Sequence, residues 1–197
     1  MGGLSNLLKH RLITGPLLSI ALIVLIYFDD QLGCITCNLG TALQPGLLIA
    51  VLAMLVAPLV ALEFSAIAQN SGIRCSVPML VISMESWIAA IYLMPSEFTT
   101  IKIVAILTTI MVCSFGLSVI TLSRGKHLKG VISGSTFTVA TAAYVAMGFG
   151  LFLLLRRDHS AWWIVGVIAI VKMCDTGAFF VGCNIGKRKL IPWVSPA

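Results

Sequence analysis

The sequence predicts an all-α fold: a polytopic helical membrane protein with about six transmembrane helices, built as one integral membrane domain over residues 1–197. Three observations predict it. Of the residues, 59% are hydrophobic and 10% charged, against roughly 25% charge in ordinary globular chains, and the mean hydropathy is +1.05. Apolar runs long enough to cross about 30 Å of hydrocarbon recur along the chain. The cations fall in short connectors between those runs, so the net charge of +6 reads as the positive-inside rule rather than as a nucleic-acid surface.

Span one runs from about Leu12 to Phe28. Lys9-His10-Arg11 precedes it, no small-residue cleavage site follows it, and Asp29-Asp30 does, which predicts an uncleaved signal anchor. Gly15 and Pro16 sit in its first turn, where proline is tolerated. The loop from Asp29 to Pro45 has no Lys or Arg. Span two covers about Gly46 to Leu62, with Pro58 as a kink point. A connector from Glu63 to Val77 holds Gln69-Asn70-Ser71-Gly72 and Arg74. Span three, Pro78 to Leu93, carries Glu85 near its middle and ends in the turn Met94-Pro95-Ser96-Glu97. Span four covers Ile101 to Leu122, and a basic loop with Arg124, Lys126, His127 and Lys129 follows. Span five covers Val131 to Leu155. Arg156-Arg157-Asp158-His159 then leads to span six, Trp162 to Val181.

Counting charges orients the chain. With the N-terminus in the cytoplasm, nine cations fall on inner segments and three, Lys102, Arg156 and Arg157, on outer loops; Lys172 within span six completes the thirteen. That bias predicts a multi-pass protein of the inner or plasma membrane with both termini cytoplasmic. Arg156-Arg157 is the pair that fits least well, and Trp162-Trp163 beside it suits an outer aromatic belt. The cysteines form no framework. Cys34 and Cys37 make a single Cys-x-x-Cys, while Cys75, Cys113, Cys174 and Cys183 are scattered, without the second pair or the histidines that a zinc site would use.

Chemistry concentrates at the end of span six. Ionisable side chains within a membrane are costly and usually mark a functional site. Lys172, Asp175, Thr176 and Phe179 stand at i, i+3, i+4 and i+7, so they share one helix face. Gly182 and Gly186 are followed by Lys187-Arg188-Lys189. Glycines permit tight turns whose N–H groups face an anion, and the cations would pair with phosphate oxygens. The plain readings are a Lys–Asp pair that neutralises itself and a cationic cluster that only sets topology. Glu85 is expected to be protonated, or paired with Ser or Thr across helices, and Glu63 to be interfacial. The residues alone also leave open a small transporter with Lys172 and Asp175 on an ion path, though the two similar halves with paired broken helices that it predicts are not found.

The stretch Asp175-Thr176-Gly177-Ala178, Val181-Gly182, Gly186-Lys187, Lys189-Leu190, Pro192 and Ser195-Pro196 closely resembles the bacterial phosphatidate cytidylyltransferases, or CDP-diacylglycerol synthases. Their pattern runs Asp-Thr-Gly-Ala-Tyr, Val-Gly-Arg, Gly-Lys-x-Lys-Leu-x-Pro, Ser-Pro-x-Lys-Thr. This chain has Phe179 where Tyr is usual and Cys183 where Arg is common. The resemblance implies transfer of CMP from CTP to phosphatidate, giving CDP-diacylglycerol and pyrophosphate in phospholipid biosynthesis, with Mg²⁺ required. It implies Asp175 as catalytic residue and metal ligand, and Lys189 and Ser195 as catalytic. Lys172, Thr176, Lys187 and Arg188 would bind substrate, with Lys172 also tuning Asp175. Partners would be CTP, phosphatidate and membrane lipid, with no nucleic acid, and a homodimer or a complementing chain. The family pattern continues with a second signature containing Lys-Asp, Pro-Gly-His-Gly-Gly and Asp-Arg-x-Asp, and the chain stops at Ala197 before it. A C-terminally truncated member with little activity alone is therefore the expectation, with a CTP-dependent lipid-alcohol kinase, which would also bind a nucleotide and a membrane lipid, as an alternative.

Overall fold

A computed structural model describes residues 15, 17, 19–33, 44–95, 97–124 and 129–184. Among these residues the chain is helical throughout, with short turns. The helices are α1 (19–33), α2 (Leu47–Asn70), α3 (Val77–Leu93), α4 (Thr100–Ser123), α5 (Val131–Asp158) and α6 (Trp162–Asn184). Among the described residues α2, α4, α5 and residues 162–182 of α6 are long and apolar enough to cross a membrane. Helix α3, with 17 residues, sits at the lower limit for a span. The all-α, polytopic expectation of about six membrane helices is met.

Large apolar side chains of α3, Leu80, Met84 and Ile88, are buried, but on α2 the burial pattern is the reverse of a soluble bundle. On α2 the buried face is mostly small, with Ala50, Ala53, Ala57 and Ala61 inside, while Leu55, Leu59 and Leu62 point out. Lipid is as apolar as leucine, so helix contact in a bilayer is driven by close approach of small side chains. Helix α5 follows the same logic and is the centre of the bundle, packing against α2, α3, α4 and α6. Gly134, Thr138, Ala142, Ala146 and Gly150 line one of its faces and are buried. A methyl group at Gly134 would collide with the Arg74 carbonyl oxygen, and one at Gly150 would come within 2.7 Å of Ile91 Cδ1. Glycine at these two positions is what allows the contact. The connector before α3 lies against α5 through Cys75, whose Sγ is 4.0 Å from Thr138 Oγ1. Burial pushes the Cys75 thiol up from its ordinary range, and the Thr138 hydroxyl offsets part of that rise. It therefore stays a protonated, weakly reactive thiol at neutral pH.

Three helix boundaries differ from the hydropathy reading. Helix α2 continues eight residues past Leu62, through Glu63, and is continuous across Pro58. It ends where Gly72 takes a φ of +73°. There the Gly72 N–H donates to the Gln69 carbonyl (3.0 Å) and the Ile73 N–H to the Ala68 carbonyl (2.8 Å). These are the two bonds of a Schellman stop, which needs glycine at the left-handed position. The apolar run ends at the membrane boundary; the helix ends at its cap. Helix α5 likewise runs on to Asp158, where the His159 N–H caps the Leu155 carbonyl, and α6 is helical through Asn184, the last described residue.

The end of α5 is also where the bundle is tied. Arg156 is 6% exposed and Asp29 is 1% exposed, so their ion pair is buried. The Arg156 Nε donates to Asp29 Oδ2 at 2.7 Å, and Nη2 reaches the Asp29 carbonyl oxygen and Asp30 Oδ1, both at 3.3 Å. The other Asp29 oxygen accepts the Leu48 N–H at 3.0 Å, in the first turn of α2, where orphan amides and the helix dipole favour an anion. Asp30 Oδ1 accepts the Ala161 N–H at 3.5 Å, just before α6. Arg156 itself lies in the last turn of α5, the end that favours a cation. One arginine and two aspartates therefore join α1, α2, α5 and α6. Around this knot Arg157 Nη1 donates to the Met94 carbonyl at 2.9 Å, and the Tyr92 hydroxyl to the Gln44 carbonyl at 3.0 Å. Gly33 and Gly46 make room for the Arg156 side chain: added methyls would stand 2.9 and 3.2 Å from it. The pair that fitted the topology count least well thus has a packing role.

Breaking one partner of a buried ion pair strands the other charge, at a cost of roughly 3–5 kcal/mol. Asp29→Ala should therefore lower the unfolding midpoint in detergent by about 10 °C. Asp29→Ala combined with Arg156→Leu should recover part of that loss. Equal midpoints for Asp29→Ala and the unaltered chain, measured by tryptophan fluorescence, would contradict the buried pairing.

Candidate functional site

Helix α6 leaves the knot at Trp162 and carries the predicted polar face in its second half. Trp162 and Trp163 are exposed at its start, with the Trp163 ring 5.4 Å from that of His159. Asp175 lies thirteen residues along, about 20 Å down the helix axis. The site and the knot are therefore at opposite parts of α6.

Helical continuity from Trp162 to Asn184 puts Lys172, Asp175 and Thr176 on one face, as the spacing requires. The Thr176 hydroxyl is turned back on its own helix, donating to the Lys172 carbonyl at 2.7 Å. Lys172 and Asp175 are both exposed. Among the described residues the ion pairs are those of Arg156 with Asp29 and Asp30; Lys172 and Asp175 do not pair with each other. A methyl group at Gly177 or Gly182 would meet nothing within 4 Å. This part of α6 therefore presents a carboxylate, an ammonium and bare backbone to its surroundings. Such a face can bind phosphate oxygens and offer one oxygen ligand to a divalent cation. Among the described residues no group of three or more His, Cys, Asp or Glu side chains could hold a metal by protein ligands alone.

The other candidates separate cleanly. Lys187, Arg188, Lys189 and Ser195 lie outside the described residues, as do Gly186, Cys34, Cys37 and His127; so does the side chain of Phe179. Glu85 is half-buried on α3 and, among the described residues, makes no hydrogen bond to Ser or Thr. Glu63 is exposed on α2. Sequence reasoning missed the Lys172 side chain as the end wall of a groove between α1 and α6, because which helix faces α6 is a long-range property.

Fold and site define a multi-pass helical membrane protein with an ionisable face on its sixth helix. Residues 30–197 match the model of the Cytidylyltransferase family, and the chain belongs to that family. Among curated proteins it is similar to a phosphatidate cytidylyltransferase of Bacillus subtilis (strain 168), 36% identical over 62 residues, which is 30% of this chain and 23% of that one. A phosphatidate cytidylyltransferase of Staphylococcus aureus (strain COL) is 37% identical over 62 residues, 32% of this chain and 24% of that one. The protein of that name from Staphylococcus haemolyticus (strain JCSC1435) gives the same identity and coverage. The chain thus spans about a quarter of the length of the curated relatives it matches. No solved structure matches it.

An exposed site residue with no partner contributes little to stability, whereas a structural one contributes much. Asp175→Ala should change the unfolding free energy by no more than about 0.5 kcal/mol, beside the large loss expected at Asp29. A destabilisation at Asp175 comparable to that at Asp29 would mean that its carboxylate is structural.

Proposed function

We propose that the chain takes part in CTP:phosphatidate cytidylyl transfer: a phosphatidate oxygen attacks the α-phosphorus of CTP, and CDP-diacylglycerol and pyrophosphate result. The observation that carries this reading is the unpaired, exposed Asp175 beside Lys172 on α6, in a chain of the Cytidylyltransferase family. The membrane would be the inner or plasma membrane, with both termini cytoplasmic, so that Asp175 faces the nucleotide side. CTP and phosphatidate would be the substrates, and a second copy or a complementing chain the protein partner.

Bringing two phosphates together is opposed by their charge, and the protein's part is positioning and neutralisation. Mg²⁺ is usually held by one or two carboxylates together with substrate phosphates. Asp175 fits that mode, as one free carboxylate open to a phosphate-borne ion. Asp175 would hold the ion, whose charge, when it is bound, would offset the charge developing on the phosphates. Lys172 would bind phosphate from the same face. Thr176, its hydroxyl already donated to the helix, would accept rather than donate a further hydrogen bond. Lys187, Arg188 and Lys189 would hold phosphates of CTP or lipid, with Lys189 and Ser195 acting on the reacting groups.

Membranes bearing the chain, supplied with labelled CTP, phosphatidate and Mg²⁺, test this reading. They are assayed with and without a co-expressed polypeptide carrying the family's C-terminal signature. CDP-diacylglycerol and pyrophosphate should form in at least one arm, and Asp175→Asn should lower the rate by about 100-fold or more. CDP as the nucleotide product would indicate a lipid-alcohol kinase instead. Neither product in either arm, or full activity of Asp175→Asn, would overturn the proposal.

A further inference from the structure

A groove of about 410 Å³ runs between α1 and α6, a volume within the range of ligand pockets. Its walls are apolar, formed by Leu22, Ile23 and Ile26 of α1 and Val165 and Ile168 of α6, and Lys172 stands on its border. Helices α1 and α6 run in opposite directions, since both reach the Arg156 knot, one by its end and the other by its start. Ile26 and Val165 therefore lie toward the knot, and Lys172 lies toward the start of α1, with Gly15 and Ser19. The groove is apolar along its length and cationic at one end.

Two other grooves lack this combination. One between α2 and α5, of about 500 Å³, has no charged side chain in its lining. A third, of about 550 Å³ among α3, α4 and α5, borders Arg157, but that guanidinium already donates to the Met94 carbonyl. Lys172 has no ion pair among the described residues. An ammonium within a membrane helix is costly until an anion meets it.

We infer that this groove seats one acyl chain of a phosphomonoester lipid, with Lys172 on its phosphate. The identity of that lipid as phosphatidate rests on the cytidylyltransferase reading; the groove and its cation do not. Its apolar walls match a hydrocarbon tail, and the unpaired ammonium matches an anionic head at the tail's end. Asp175 follows Lys172 by three residues, about 5 Å along the helix. A phosphate held by Lys172 would thus stand one turn from the carboxylate. Lys172 is then the residue that selects a lipid with a phosphate head over neutral diacylglycerol.

Photolabelling tests it. The full chain in phosphatidylcholine vesicles is irradiated with phosphatidate carrying a diazirine in its acyl tail, and the adducts are mapped by mass spectrometry. Adducts should fall on the α1 and α6 walls, drop about tenfold in Lys172→Ala, and persist in Lys172→Arg. Ile23→Trp, which fills the groove and leaves the cation, should also remove them. Diacylglycerol with the same tail should label these walls no more than the Lys172→Ala background. Adducts elsewhere, equal labelling by diacylglycerol, or indifference to both Lys172→Ala and Ile23→Trp would overturn the inference. The expected pattern in a chain that forms no CDP-diacylglycerol would keep the groove and remove the transferase reading. Product formation with adducts elsewhere would do the reverse.

Discussion

The buried contact between Arg156 and Asp29 is the constraint on which the rest of this structure depends. A bilayer offers no hydrophobic drive to bring helices together, so polar contacts and close packing decide which helices meet. Here a single guanidinium takes both acids at the end of α1. Each acid in turn accepts a backbone N–H at the start of another helix, Leu48 of α2 and Ala161 ahead of α6. The arrangement satisfies groups that would otherwise be stranded in a low-dielectric setting. It also uses the field of the helices: anions where α2 and α6 begin and a cation where α5 ends.

Tying α6 at its first turn has a consequence for its second half. From the knot onward the helix is lightly covered; its main packing neighbour among α2–α5 is α5. The polar face at Lys172, Asp175 and Thr176 is therefore left open rather than absorbed into the core. Paired and unpaired charges are thus divided between the two parts of one helix. The buried charges at the knot are paired, and the exposed charges one half-helix away are not. Unpaired ionisable groups in a membrane span are expensive to keep and point to use by a ligand.

Local features of this arrangement were legible in the sequence, and distant ones were not. The apolar runs located the helices, because each span must satisfy its own backbone in lipid. The shared face of Lys172, Asp175 and Thr176 followed from the period of one helix. Gly72 was visible as a turn former, yet the end of α2 was set eight residues early, since hydropathy reports the membrane boundary and not the cap. Asp29 and Arg156 stand 127 residues apart. Read singly, the first looked like the close of a signal anchor and the second like a breach of the positive-inside rule. Pairing across that distance depends on helix packing, which carries no local mark. The groove beside Lys172 was hidden for the same reason.

The central claim is that the open second half of α6 is a phosphate-handling face centred on Asp175. Photoaffinity labelling with azido-CTP tests it most directly, because it reports where nucleotide binds whether or not turnover follows. The account predicts Mg²⁺-dependent adducts on the segment around Asp175, competed by CTP and lost in Asp175→Asn. Adducts confined to other helices, or labelling of α6 indifferent to both Mg²⁺ and the Asp175 substitution, would contradict it.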